Sequence, residues 1–305
     1  MTSNMQTKRL DILVGVDGSA AATAAVRYAA QLASARKRPL RIVYGIGLAD
    51  MGWVYGTDYG AVPSIEYELR LAGKRILADA TALARTIDDS LDIIAEVSPQ
   101  PPARLLVDLS EHAYLVVVGG SGTGRLGAVA STAVAVTSHA HTPVIVVRTA
   151  AADDAPAATG SVVVGVDGSA VSDHAIGVAF EEASRRNANL VAVHTWSDTA
   201  FSTGDFAGDR GLLTPPIEFE TIEHAVLAER LAGWQEKYPD VRVERRIYPD
   251  APRERLLDLS DEAQLLVVGS RGRGGFRGLL LGSTSNALVV HARCPVMVVR
   301  PPCEP

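Results

Sequence analysis

The chain repeats itself. Residues 12–20 read ILVGVDGSA and residues 162–170 read VVVGVDGSA, an offset of 150. At the same offset LVDLSEHAYLVVVG (106–119) answers LLDLSDEAQLLVVG (256–269), whereas TPVIVVR (142–148) answers CPVMVVR (294–300) at 152. The change of offset puts a two-residue deletion in the first copy, between Gly119 and Thr142. A repeat of this length is domain-sized, whereas solenoid units run to roughly 20–50 residues. The expectation is two domains of one fold, residues 1–150 and 161–305, joined by the small-residue linker AADDAPAATG at 151–160.

Each copy alternates strand and helix patterns. In the first, DILVGV (11–16) is a continuous apolar run closed by Asp-Gly-Ser, which suits a parallel strand buried on both faces. An Ala-rich helical stretch (20–37) leads to a second strand, LRIVYGI (40–46), and helical periodicity resumes over 64–87. Strand three is expected at 91–97, a short helix opens at Pro101-Pro102, strand four is LVVVG (115–119), a helix covers 130–139, and VIVV after Pro143 is strand five. The second copy gives strands at 162–166, 190–195, 241–247, 265–269 and 296–299, and helices at 171–187, 217–238, from Ala251, and 283–291. This alternation predicts an α/β fold, two tandem doubly wound parallel-sheet domains.

Bulk properties exclude several partners. Net charge is −6, which argues against nucleic acid or an anionic membrane surface. No apolar run is long enough to span a bilayer, and the N-terminal segment lacks a signal-peptide pattern. Cys294 and Cys303 alone make neither a disulfide framework nor a zinc knuckle, and a cytoplasmic location is expected.

In doubly wound sheets ligands bind at the carboxyl ends of the strands, where the strand order reverses. Two features of each copy fall at such ends: the Asp-Gly-Ser after strand one and a glycine-rich loop after strand four. In the second copy that loop reads GSRGRGGFRGLLLGSTS, with Gly269 and Gly272 spaced G-x-x-G, and Gly282-Ser283 nine residues on, opening a helix. Glycines let a backbone approach a ligand closely, and free amides at a helix start bind phosphate. Ser283 or Thr284 can cap that helix or donate to a phosphate oxygen, while Arg271, Arg273 and Arg277 either add positive charge there or form a solvated surface cluster.

The G-x-x-G-x9-G-S/T pattern, preceded by a strand-one Asp and present in a duplicated chain, resembles the tandem universal stress proteins, the two-copy kind common in actinobacteria. The likeness covers essentially the whole chain. It implies an adenine nucleotide alpha hydrolase-like fold of strand order 3-2-1-4-5, with ATP, and Mg²⁺ where needed, between strands one and four. On that resemblance Gly165, Asp167 and Thr195 contact the nucleoside, and Gly269, Gly272, Gly282, Ser283 and Thr284 contact ribose and phosphates. In the first copy Gly15, Asp17, Gly45, Gly119, Gly122, Ser131 and Thr132 take the matching positions. That copy departs from the pattern: only seven residues separate Gly122 from Ala130-Ser131, and Ala130 replaces the third glycine. A weaker nucleotide site and a purely structural copy both remain open for it.

Other readings compete for the same residues. Asp-Gly-Ser is also a good turn and helix cap. Gly122-Thr-Gly124-Arg-Leu-Gly127 spells G-x-G-x-x-G, but it follows strand four and lacks the strand context of a dinucleotide site. There is neither a P-loop lysine motif nor a G-x-S-x-G elbow. His139 and His291 close the last helix of each copy, where the dipole favours them, and His194 reads as core or site lining. Trp53, Tyr55, Tyr59, Trp196 and Phe201, in the loops after strand two, either close over a ligand or simply pack. The resemblance implies a regulatory protein of stress, dormancy or growth control with a protein partner still to be identified. A slow ATPase or phosphotransferase and a nucleotide-independent scaffold are the alternatives. The apolar fifth strands, VIVV and VMVV, are edges suited to pairing, which in the resembled family gives a dimer-like unit and here admits a homodimer.

Overall fold

Five apolar runs of the first half form a parallel sheet in the computed structural model, which describes residues 10–47, 62–120, 129–148, 160–195, 216–272 and 280–301. They are β1 (Asp11–Gly15), β2 (Leu40–Gly45), β3 (Ile93–Ser98), β4 (Ala113–Gly120) and β5 (Val144–Arg148), interleaved with α1 (Ala20–Arg36), α2 (Val62–Ile87), α3 (Pro102–Ser110) and α4 (Val129–His139). Their order is β3-β2-β1-β4-β5. The second half repeats this with β6 (Val162–Val166), β7 (Leu190–Thr195), β8 (Val243–Tyr248), β9 (Leu265–Gly269) and β10 (Val296–Val299) in the order β8-β7-β6-β9-β10. Its helices are α5 (Ala170–Arg186), α6 (Pro216–Lys237), α7 (Pro252–Leu259) and α8 (Ser283–His291). The chain divides into two units, Met1–Asp154 and Ala155–Pro305. Among the described residues no helix is long and apolar enough to cross a membrane.

The continuous apolar runs are explained by helices covering both faces of each sheet. Ile12, Leu13 and Val14 of β1 and Val116 and Val117 of β4 are wholly buried, each such side chain contributing about 1.5–3 kcal/mol. The alanines of α1 let the helix sit close on the sheet, and Ala25, Ala29 and Ala33 have no exposed surface. Both first helices start alike. Gly18 (φ 81°) and Gly168 (φ 78°) take left-handed turns that glycine adopts without strain. The Ser19 and Ser169 hydroxyls then accept from the amides of Ala22 and Ser172, capping α1 and α5. Both helices end on left-handed caps, Lys37 and Asn187.

Strands β3 and β8 begin two residues later than the apolar pattern suggests, at Ile93 and Val243. Leu91 and Val241 are buried, but their amides donate to Asp88 O and Tyr238 O in the preceding turns. These side chains serve the core from a turn. The strand order reverses between β1 and β4 and between β6 and β9, so each unit opens a crevice at the carboxyl ends of those pairs.

Candidate functional site

In the first unit the carboxyl ends of β1, β2 and β4 and the start of α3 enclose a cavity of about 430 Å³. Gly15, Asp17, Gly45, Gly119 and Thr132, all singled out from sequence, are on its wall. Gly122 and the side chain of Ser131 lie outside the described residues, as do Arg273, Arg277, the G-x-G-x-x-G segment from Gly122 to Gly127 and the five loop aromatics. The wall is largely apolar, with Val16, Val43, Leu105 and Leu106, and carries Asp17, Ser19 and Thr132 as polar groups. A few polar groups set in an apolar cleft are what a small-molecule site requires.

Two wall glycines also have packing reasons. A β-carbon on Gly119 would lie 2.6 Å from the carbonyl carbon and oxygen of Ala21, and one on Gly45 would lie 2.8 Å from Pro102 Cα and 2.9 Å from Gln100 O. These neighbours are backbone and cannot yield. The second unit solves the Gly45 problem differently. Thr195 stands in place of Gly45, and Ala251, in place of Pro101, adopts φ 62°, ψ 53° at the start of α7. Proline cannot take a positive φ; Pro101 sits at φ −59°, and the chain approaches Gly45 instead.

In the second unit the register aligns Val166 with His194 and Val164 with Val267. Asp167, Thr195 and Gly269 therefore stand at neighbouring strand ends. Asp167 Oδ1 accepts from the Ser169 amide (2.9 Å) and hydroxyl (2.7 Å), an Asx-turn that also positions the α5 cap. Asp17 makes the equivalent backbone contact at 2.9 Å. The turn-and-cap role is therefore real in both units. Asp167 has more around it: a β-carbon on Gly272 would collide with Asp167 Oδ2. Glycine at 272 is what lets the loop close on that carboxylate, while Gly165 leaves room for the Leu256 and Val268 side chains, 3.1 and 3.2 Å from where its β-carbon would stand.

Helix α8, like α3 and α7 but unlike α1 and α5, starts without a side-chain cap, and it lacks the first-turn proline of α3 and α7. Its N-cap is Gly282 (φ −70°, ψ 157°), with no side-chain hydrogen bond to the first turn. The Gly282 amide donates to Ser270 O (2.8 Å) and the Ser285 hydroxyl to Gly269 O (2.7 Å), which fixes the helix to the end of β9. Ser283 is exposed and Thr284 half-buried at this end, and Arg271 is exposed nearby in sequence. The Gly282 backbone needs no positive φ, and among the described residues a β-carbon there would meet nothing closer than 3.6 Å. Nothing among those residues demands glycine at this position. An uncapped helix start with its dipole favours an anion, and an unencumbered glycine lets that anion come close. A carboxylate such as Asp167 instead accepts from N–H or O–H groups, so the site is suited to a ligand with a donor-bearing end and an anionic end.

His194, read from sequence as core or lining, is buried and bonded through both ring nitrogens: Nδ1 lies 2.7 Å from Val166 O and Nε2 2.9 Å from Glu223 Oε2. Glu223 escaped the sequence reading because it lies on α6, 29 residues away. Of the helix-end histidines, His139 has its Nδ1 2.9 Å from Ala135 O in the last turn of α4. Among the described residues no group of His, Cys, Asp and Glu is arranged to hold a metal.

Residues 9–148 and 159–300 each match the profile of the universal stress protein family. The chain is 43% identical over 303 residues to a universal stress protein of Mycolicibacterium smegmatis, covering 95% of this chain and 97% of that one. It is 39% identical over 299 residues to one of Mycobacterium tuberculosis, covering 95% and 96% respectively. Among solved structures, a universal stress protein from Archaeoglobus fulgidus superposes with a TM-score of 0.68 at 20% identity, over 95% of this chain and 98% of that chain, a likeness of fold.

Proposed function

Since the chain belongs to the universal stress protein family, in its tandem two-domain form, we propose that it binds an adenine nucleotide, ATP foremost, and acts as a nucleotide-dependent regulator in stress response, dormancy or growth control. The observation that carries this reading is the start of α8. Helices α1 and α5 are capped by serine hydroxyls and α3 and α7 carry a proline in the first turn, whereas α8 begins at a glycine with neither, and among the described residues a β-carbon there would meet nothing closer than 3.6 Å. In this reading Gly269, Gly272, Gly282, Ser283 and Thr284 hold the phosphates, and Asp167 and Thr195 accept from the nucleoside. Mg²⁺ arrives with the polyphosphate. The first unit offers Gly15, Asp17, Gly45, Gly119 and Thr132 around its cavity, with Ala130 where the second unit has Gly282.

Nucleotide co-purified with untreated protein should be identified and counted per chain by mass spectrometry, followed by calorimetry with ATP, ADP and cyclic AMP on wild type and Gly282→Glu. ATP binding that the acidic side chain abolishes is the expected result. If the wild type binds none of them, the protein is a nucleotide-independent scaffold. Rapid Mg²⁺-dependent hydrolysis that disappears in Asp167→Ala would make it an enzyme instead.

A further inference from the structure

The second unit carries a device that the first lacks. In the second unit the Val166–Asp167 peptide is gripped from both sides. Its carbonyl lies 2.7 Å from Nδ1 of His194, and its amide donates to the Ser172 hydroxyl at 3.1 Å. Ser172 and His194 are both buried, at 2% and 5% exposure. The first unit has Ala22 in place of Ser172 and Tyr44 in place of His194. Alanine has no hydroxyl, and the near edge of the tyrosine ring is carbon. Glu223 is replaced there by Gly73, against which the Tyr44 ring packs so closely that a β-carbon would fall 2.6 Å from Tyr44 Cδ1. The pairs Tyr44/Gly73 and His194/Glu223 are thus alternative fillings of one position in one fold.

The chemistry of the second filling is specific. Val166 O can only accept, so the Nδ1 that lies against it donates, and Nε2 shares its hydrogen bond with the Glu223 carboxyl group. Arg230 is engaged with Asp173 at 2.6 Å, and Arg245 is in register with Ala192, on the His194 side of β7. Glu223 is the carboxylate in hydrogen-bond contact with the ring.

We propose that His194, held in place by Glu223, is a positioning residue for the nucleotide site of the second unit. With Ser172 it clamps the peptide that carries Asp167, a device the first unit lacks. This rests on the nucleotide reading of Asp167 given above. A clamped carboxylate meets its ligand already oriented, which spares the ordering that binding otherwise demands.

The test is a transplant in the full chain. In an Asp17→Ala background, which removes the first unit's carboxylate, the double variant His194→Tyr with Glu223→Gly installs the arrangement that the first unit already folds with. ATP affinity is measured by calorimetry. The expected result is an unchanged unfolding temperature and about tenfold weaker ATP binding in the transplant. Glu223→Gln, which keeps a hydrogen-bonding partner for the ring, should retain most of the affinity. Equal affinity before and after the transplant overturns the proposal and leaves the nucleotide reading intact. Absence of ATP binding before the transplant overturns both, so the two failures are distinguishable.

Discussion

Gly119 and Gly282 belong to the same sequence motif in its two copies, yet the structure assigns them opposite sensitivities. A methyl group on Gly119 would lie 2.6 Å from the carbonyl of Ala21 and 2.9 Å from the amide of Ala22, backbone against backbone at the join of β4 and α1. Overpacking of that kind costs about 1–3 kcal/mol. In a domain of this size that lowers the midpoint of the first unit by roughly 2–12 °C, at about 2–4 °C per kcal/mol. Among the described residues a methyl group on Gly282 meets its first neighbour at 3.6 Å, at a φ of −70° open to any residue. The residual cost is the poorer N-cap that alanine makes, about 0.5–1 kcal/mol. Gly119→Ala is therefore expected to act through stability. Gly282→Ala should leave the second unit folded within a few degrees and weaken ATP there by about tenfold or more, since the methyl group obstructs close approach to the helix start. Scanning calorimetry resolves the stability of each unit, and titration calorimetry reads the affinity. Unfolding of the second unit by Gly282→Ala, or its full retention of ATP affinity, would refute the argument that this glycine serves a ligand and not the fold.

Three further outcomes follow from local chemistry. Ala251 holds φ 62° without being glycine; Ala251→Gly should raise the stability of the second unit by about 0.5–1 kcal/mol, the left-handed penalty less the greater chain entropy of glycine. A loss in denaturant titrations would show that the alanine methyl group packs usefully there. Burial pushes the thiol of Cys294 up to about 12, so peptide mapping after alkylation of native protein near neutral pH should find Cys294 unmodified until the chain unfolds. Rapid labelling of that peptide would contradict its burial. His174 is lowered from its ordinary value by burial. Below about pH 6.5 the unfolded chain takes up that proton first, so wild-type stability falls as the solution is acidified through that value toward the folded one. His174→Gln should lose less stability between about pH 7.5 and 5.5, and equal losses would remove His174 from the acid response.

The duplication made the fold legible, because every strand pattern in one half could be checked against the other. Strand starts were harder to read where a core side chain projects from a turn, as at Leu91 and Val241, since hydrophobicity reports burial and not backbone pairing. The positions of Asp17, Asp167 and the glycine loops at strand ends followed from motif and topology together. The packing duties of Gly45 and Gly119 did not, because the opposing backbones of Gln100–Pro102 and Ala21 are brought there by tertiary structure. The exchange of Tyr44/Gly73 for His194/Glu223 was equally hidden, each member an ordinary residue in its own segment until the helix is laid on the strand.

A tandem chain supplies its own control for separating fold from function. Where both copies keep a residue and the structure gives it the same task, as with Gly18 and Gly168 in their left-handed turns and Ser19 and Ser169 as caps, the fold suffices as the explanation. Where the copies differ and the structure shows a compensating change nearby, as with Gly45 beside Pro101 and Thr195 beside Ala251, the fold again suffices. Gly282 against Ala130 fits neither case: the position tolerates a side chain, and its glycine relieves no contact among the described residues. The same holds for Ser172 against Ala22, where the added hydroxyl orients the peptide of Asp167 and no change in the helix calls for it. Both unexplained differences lie in the second unit, one at the helix start suited to an anion and the other behind the carboxylate suited to a donor. Under the proposed nucleotide reading both serve the ligand, which makes the second unit the place where nucleotide affinity should be sought first.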